Sequence, residues 1–135
     1  MLLIMTVLSV SCTNGEDEKA ADQFHEKLDA GEYEWIVDNL VYPEDLVQYN
    51  TRAEWMAFFE LVQSWGPIIN RKAQWGFSTK VQNGVTTSRI GYEFDNDKGH
   101  FYERLVLVDR GEGFKLLVIA INTDEATVER QTAGF

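Results

Sequence analysis

The chain has a single cysteine, two histidines and two prolines among its 135 residues, and only 12 Lys and Arg against 22 Asp and Glu. Each scarcity removes a class of protein. One cysteine, Cys12, excludes an intramolecular disulfide framework and a cysteine-rich zinc site. Two histidines, His25 and His100, are too few for a convincing metal constellation, although carboxylates could help, and no cofactor is expected. A formal net charge of −10 argues against a nucleic-acid partner, which calls for a basic stripe. The N-terminal apolar run, Leu2 to Leu8, is too short to span a bilayer, which takes roughly 18–20 residues. What remains fits one domain with enough apolar side chains for its own core.

Residues 74 to 122 read as four antiparallel strands of one sheet. Asn83-Gly84 is a strong hairpin signal, since both positions tolerate positive φ. Asp95 to Gly99 and Gly111-Glu112-Gly113 mark two further turns. Pairing around these turns sets Trp75 opposite Tyr92, Phe77 opposite Ile90, Phe94 opposite Phe101, Tyr92 opposite Glu103, Ile90 opposite Leu105, Leu107 opposite Leu116 and Leu105 opposite Val118. Side chains alternate along a strand, so the pairs share one face. That face collects Trp75, Phe77, Val81, Ile90, Tyr92, Phe94, Phe101, Leu105, Leu107, Leu116, Val118 and Ala120. Glu103 is its only charged residue, in a row Trp75–Tyr92–Glu103–Ala120. The other face is polar at one end (Lys80, Arg89, Glu93, Tyr102, Arg104). It is apolar at the other (Val106, Val108, Leu117, Ile119, Ile121). A sheet solvated on one side alternates cleanly, so something is expected to cover the apolar end.

Ahead of the sheet lie helical patterns. Ala20 to Leu28 places Ala21, Phe24 and Leu28 on one stripe, bordered by His25, which reads as a packing histidine. After Asp29-Ala30-Gly31, Glu32 to Val41 carries Tyr33, Ile36, Val37, Leu40 and Val41 at helical spacing. Pro43 opens a single turn over Glu44 to Gln48. Thr51 and Glu54 form a capping box that starts a third helix through Trp65, with Trp55, Phe58, Phe59, Val62 and Trp65 as its stripe. Gly66-Pro67 ends that helix. Three helices followed by a meander predict an α+β fold with the helices on one sheet face.

Two stretches carry resemblances. Met1 to Ser11, an apolar run ending in small residues before the unique Cys12, is similar to a bacterial lipoprotein signal. The implied mature chain begins at a lipidated, palmitate-bearing Cys12. Residues 1–11 are then the signal peptide, 12–19 an acidic tether, 20–122 the domain and 123–135 a C-terminal tail. The implied location is the cell envelope, periplasmic or at the cell surface, with the membrane reached by the lipid anchor. An acidic run such as Glu16-Asp17-Glu18 is a surface-export address in some Gram-negative envelopes; its plainer reading is a solvated helix start.

Separately, Phe24-His25-Glu26-Lys27-Leu28-Asp29-Ala30-Gly31-Glu32-Tyr33 resembles the opening of the nuclear-transport-factor-2-like superfamily, a short helix, Asp-x-Gly-x-Tyr and a second helix. Phe101 to Val108, a Gly turn, and Gly113-Phe114-Lys115-Leu116 resemble its third and fourth strands. The resemblance covers about residues 20 to 122. It implies a sheet curled into a cone whose mouth takes small hydrophobic molecules, in enzymes and in binding or accessory domains alike. Fold alone does not choose between these.

The chain shows no recognisable catalytic set, and no residue is assigned a catalytic role. The leading expectation is a non-catalytic envelope lipoprotein domain binding a small hydrophobic ligand or a protein partner, with Glu103, Tyr92 and Trp75 as candidate ligand contacts. A second is a cone-fold isomerase, dehydratase or hydrolase using Glu103 as acid or base beside Tyr92. A third is a structural subunit or homodimer joined through Val106, Val108, Leu117, Ile119 and Ile121, unless residues 123–135 fold back over them. The plain alternative for Glu103 is a structural carboxylate paired with a Tyr or Arg, or solvated near the sheet edge.

Overall fold

A computed structural model describes residues 15–74 and 78–135. The expected elements Met1 to Ser11, Cys12, Trp75 and Phe77 lie outside them. Helices come first: α1 (Glu16–Asp29), α2 (Tyr33–Leu40), the single turn α3 (Asp45–Gln48) and α4 (Arg52–Ser64). The sheet follows as β1 (Ile69–Ala73), β2 (Ser78–Gln82), β3 (Val85–Asn96), β4 (Gly99–Asp109) and β5 (Phe114–Asn122), and α5 (Glu125–Thr132) closes the chain. The fold is thus α+β, with five helices and an open five-stranded antiparallel sheet among the described residues.

Helix α1 begins at Glu16, four residues before the expected start at Ala20. Glu16, Asp17 and Glu18 occupy its first turn, where acids favour the helix dipole. The acidic run is therefore part of the fold from Glu16 on, and Asp17 is buried against the sheet. The capping box at Thr51 forms as its sequence requires, Glu54 N–H donating to Thr51 Oγ1 and Thr51 N–H to Glu54 Oε1. Phe24 and Leu28 of α1, Ile36 and Val37 of α2, and Trp55 and Phe59 of α4 pack on Ile90, Leu105, Leu107 and Leu116 of the sheet.

The sheet has one strand more than the sequence suggests. Strand order is β1-β3-β4-β5, with β2 also paired to β3, so β1 and β2 share one edge of the long strand β3. The Asn83-Gly84 turn has positive φ at both residues, 53° and 79°, as a two-residue hairpin demands. Beyond it Ser78 stands opposite Arg89, but Ala73, not Trp75, stands opposite Tyr92. The register on the two sides of that stretch differs by two residues. Val81, expected inside, is exposed, as are all five residues of β2.

The β3–β4 register is the expected one: Phe94 faces Phe101, Tyr92 faces Glu103 and Ile90 faces Leu105. Between β4 and β5 the expected Leu107–Leu116 pair holds, then the pairing slips. Val106 faces Val118, leaving Leu117 as the extra residue of a β-bulge, and beyond it the faces of β5 are exchanged. Ile119, not Val118, faces Leu105, and Ile121, not Ala120, faces Glu103. Val118 consequently packs on the outer face and Ile119 against the helices.

This exchange, together with α5, redraws the outer apolar set. Val106, Val108 and Leu117 are buried with Tyr42, beside Val85, Val118 and Phe135. Helix α5 lies on β4 and β5 with Val128 and Thr132 fully buried. Gln74 Nε2 donates to Glu125 Oε2 at 2.8 Å and Arg104 pairs with Glu129, fixing the helix to the sheet. The residues Val106, Val108, Leu117, Ile119 and Ile121 therefore form no single exposed patch. Residues 123–135 do fold back.

Candidate functional site

The site forms where α1 crosses the middle of β3 and β4. Two side chains of α1 reach polar residues of the sheet. Near its start, Asp17 Oδ2 accepts a 2.5 Å bond from Ser88 Oγ, both residues buried. Two turns later, His25 Nε2 lies 2.6 Å from Glu103 Oε1. Glu103 is fully buried and His25 is 5% exposed. Tyr92, beside Glu103 on β3, stands edge-on to the His25 ring with centroids 4.5 Å apart. Glu103 thus points among the helices, as the register requires, but its partner is a histidine of α1 rather than a Tyr or Arg.

A contact of 2.6 Å between a ring nitrogen and a carboxylate oxygen holds one proton between them. Either Nε2–H donates to a carboxylate, or a carboxylic acid donates to Nε2. Glu103 Oε2 has no partner among the described residues. A buried carboxylate in that condition depends heavily on the one bond it has.

On the solvent side of His25 lies an open cleft of about 420 Å³. Helix α1 supplies Glu18, Asp22 and His25, β1 supplies Arg71, Lys72 and Ala73, and Tyr92 forms the floor. Tyr92 is only 7% exposed, yet its hydroxyl has no hydrogen-bond partner among the described residues. Burial, reinforced by the nearby carboxylates of Asp22, Glu103, Glu18 and Asp17, pushes its ionisation well above the ordinary tyrosine range. The phenol therefore stays protonated, and its oxygen can donate to or accept from a group in the cleft. His25 Nδ1 likewise makes no hydrogen bond among the described residues.

The charges around the cleft are unevenly matched. Arg71 is held by Asp29 in a two-point contact, at 2.9 and 3.0 Å. Lys72 Nζ lies 3.9 Å from Glu93 Oε1. Glu18 and Asp22, by contrast, have no side-chain partner among the described residues.

The space under the sheet is occupied. Phe59, fully buried, meets Phe24 and Trp55 at centroid distances of 5.9 and 5.7 Å. A second, smaller cavity of about 280 Å³ opens between α4 and β5, lined by Asn50, Glu54, Trp55, Phe58, Val118 and Ile119. Trp55 Nε1 is buried there without a partner among the described residues.

Of the sequence candidates, Glu103 and Tyr92 are brought together, while Trp75 lies outside the described residues. The sequence reading missed His25, Asp22 and Glu18. The usable signal was the pairing of two isolated polar residues, His25 beside the apolar stripe of α1 and Glu103 on the apolar face of the sheet. His100 is unconnected to this site. It sits at the sheet's end, with Nδ1 2.6 Å from Asp95 Oδ1 and Nε2 3.1 Å from Glu93 Oε1. In comparisons with known proteins, the chain matches no protein-family model and no curated protein.

Proposed function

We propose that the chain is a lipid-anchored domain of the bacterial cell envelope that binds a small molecule in the cleft over His25 and Tyr92, without chemistry on it. One observation carries the binding reading: two nearly buried side chains, Tyr92 and His25, each present an unpartnered polar atom at an open cleft. Neither atom is sealed away from solvent, so a bound molecule can take the place of water at both, and a few convergent polar groups in a cleft are what a small-molecule site offers. The helix order and the motifs at 24–33 and 101–116 support a nuclear-transport-factor-2-like, cone-shaped sheet. The packing of Phe24, Trp55 and Phe59 favours a ligand at this cleft over one deep inside the cone.

The anchor rests on Cys12 and the apolar run before it. Mass spectrometry of the native protein is expected to show a chain starting at Cys12 with added acyl mass. An unmodified Cys12 within an intact N-terminus overturns the anchor. For the cleft, fragment screening by NMR is expected to find ligands that shift Tyr92 and α1 amides and bind more weakly to Tyr92→Phe.

A second reading is favoured by the His25–Glu103 geometry. A buried carboxylate that holds one ring nitrogen and leaves the other free is how a general base is oriented. The readings separate on the fate of the bound molecule. Recovery at unchanged mass after long incubation supports binding alone. Conversion that Glu103→Gln abolishes supports catalysis.

A further inference from the structure

We infer that the cleft receives the primary ammonium group of a small organic cation. This rests on the cleft being a ligand site and adds the chemical class. The argument begins with which charges are already matched. Both cations that line the cleft have a carboxylate beside them, Arg71 with Asp29 and Lys72 with Glu93. The two carboxylates, Glu18 and Asp22, have none. They stand four residues apart on α1, so they share a helix face and repel one another. A cation between them relieves that repulsion; an anion adds to it.

Hydrogen-bonding capacity points the same way. Carboxylates only accept, and an ammonium has three N–H donors and no acceptor. When Nε2 carries the proton shared with Glu103, His25 Nδ1 is a third acceptor on the same wall. Tyr92 provides the second, independent sign that the cleft is built for a ligand. The residue is only 7% exposed, its hydroxyl has no partner among the described residues, and it lines the cleft. Lys72, most of whose side chain is exposed, stands on the opposite wall and disfavours a second positive charge on the same ligand.

The test uses three probes with one ring and three charges: benzylamine, benzyl alcohol and benzoate. Each is titrated into the ¹⁵N-labelled chain. Benzylamine is expected to shift the amides of residues 18–25, Lys72 and Tyr92 at about a tenfold lower concentration than the other two. Glu18→Gln and Asp22→Asn are both substitutions of exposed residues, and each is expected to weaken it roughly two- to fivefold, as for solvent-exposed ion pairs. Added salt weakens it further. If benzoate or benzyl alcohol moves these amides as readily, the cation class falls while the cleft stands as a ligand site. If none of the three moves them, the ligand-site reading falls too. Benzylamine shifts that survive both substitutions also overturn the proposal.

Discussion

His25 and Glu103 stand or fall together. Glu103 is fully buried, and its one side-chain hydrogen bond among the described residues is to His25 Nε2. His25→Leu strips a buried carboxylate of that bond, and the expected loss is about 3–5 kcal/mol. Glu103→Leu leaves a ring nitrogen unpartnered beside a cleft, at a cost of about 1–3 kcal/mol. The double variant removes both polar groups at once and is expected to be more stable than the sum of the single losses by at least ~2 kcal/mol. Urea unfolding of the four proteins measures this. Additive losses contradict the coupling. Glu103 was legible in the sequence because it is the lone charge on the apolar face set by the β3–β4 turn, whose register holds throughout. His25 was not, because a helix pattern shows which side is apolar but not which strand that side will cross.

Among elements, α5 shows how polar contacts hold a helix with little apolar surface. Gln74 reaches Glu125 across β3 and Arg104 of β4 reaches Glu129, and both side chains pass over the space left by Gly91. A Cβ at position 91 would lie 2.9 Å from Gln74 Oε1 and 3.1 Å from Arg104 Nε. Gly91→Ala displaces these two side chains and is expected to cost about 1 kcal/mol, the low end for overpacked sites. The loss should concentrate in α5, seen as faster amide exchange there than in α1 or α4. Uniform loss of protection argues against this role for Gly91.

The β3–β4 turn carries its own pH signature. The hydrogen bond to Asp95 and, after it, the nearby carboxylate charges raise the ionisation of His100 above the ordinary histidine range. A raised folded value gives stability that is complete below the unfolded value and is lost as pH rises through the folded one. His100→Gln should therefore lie further below the parent at pH ~5.5 than at pH ~8.5, by no more than a few tenths of a kcal/mol for so exposed a group. Thermal unfolding at the two pH values checks it, and an equal gap contradicts it. The strand registers were legible wherever polar residues mark alternation, as along β3 and the first half of β4. They failed at Leu116-Leu117-Val118-Ile119-Ala120, a run apolar throughout. There a one-residue bulge places an apolar side chain on either face, so the pattern carries no trace of it. Helix α5, with few apolar residues in Glu125–Thr132, left as little trace.

For the molecule as a whole, the decisive feature is that the last segment covers the outer sheet. Val106 and Val108 are 0% and 3% exposed, and Leu117 is buried beside them. Removing residues 124–135 strips Val128, Thr132 and Phe135 from that side and opens a contiguous apolar face. Faces of that kind associate or aggregate in water. The full chain is expected to sediment as a monomer, and the shortened chain as dimers or larger species. One substitution separates a cover from an incidental tail, because its effect should reverse sign between the two lengths. In the full chain, Val106→Glu buries a carboxylate and is expected to cost several kcal/mol. In the shortened chain the same glutamate reaches solvent and interrupts the apolar face, so it is expected to return the protein toward a monomer. Sedimentation and urea unfolding of the four proteins test this. A shortened chain that remains monomeric without Val106→Glu would show that α5 is not what keeps this face from pairing.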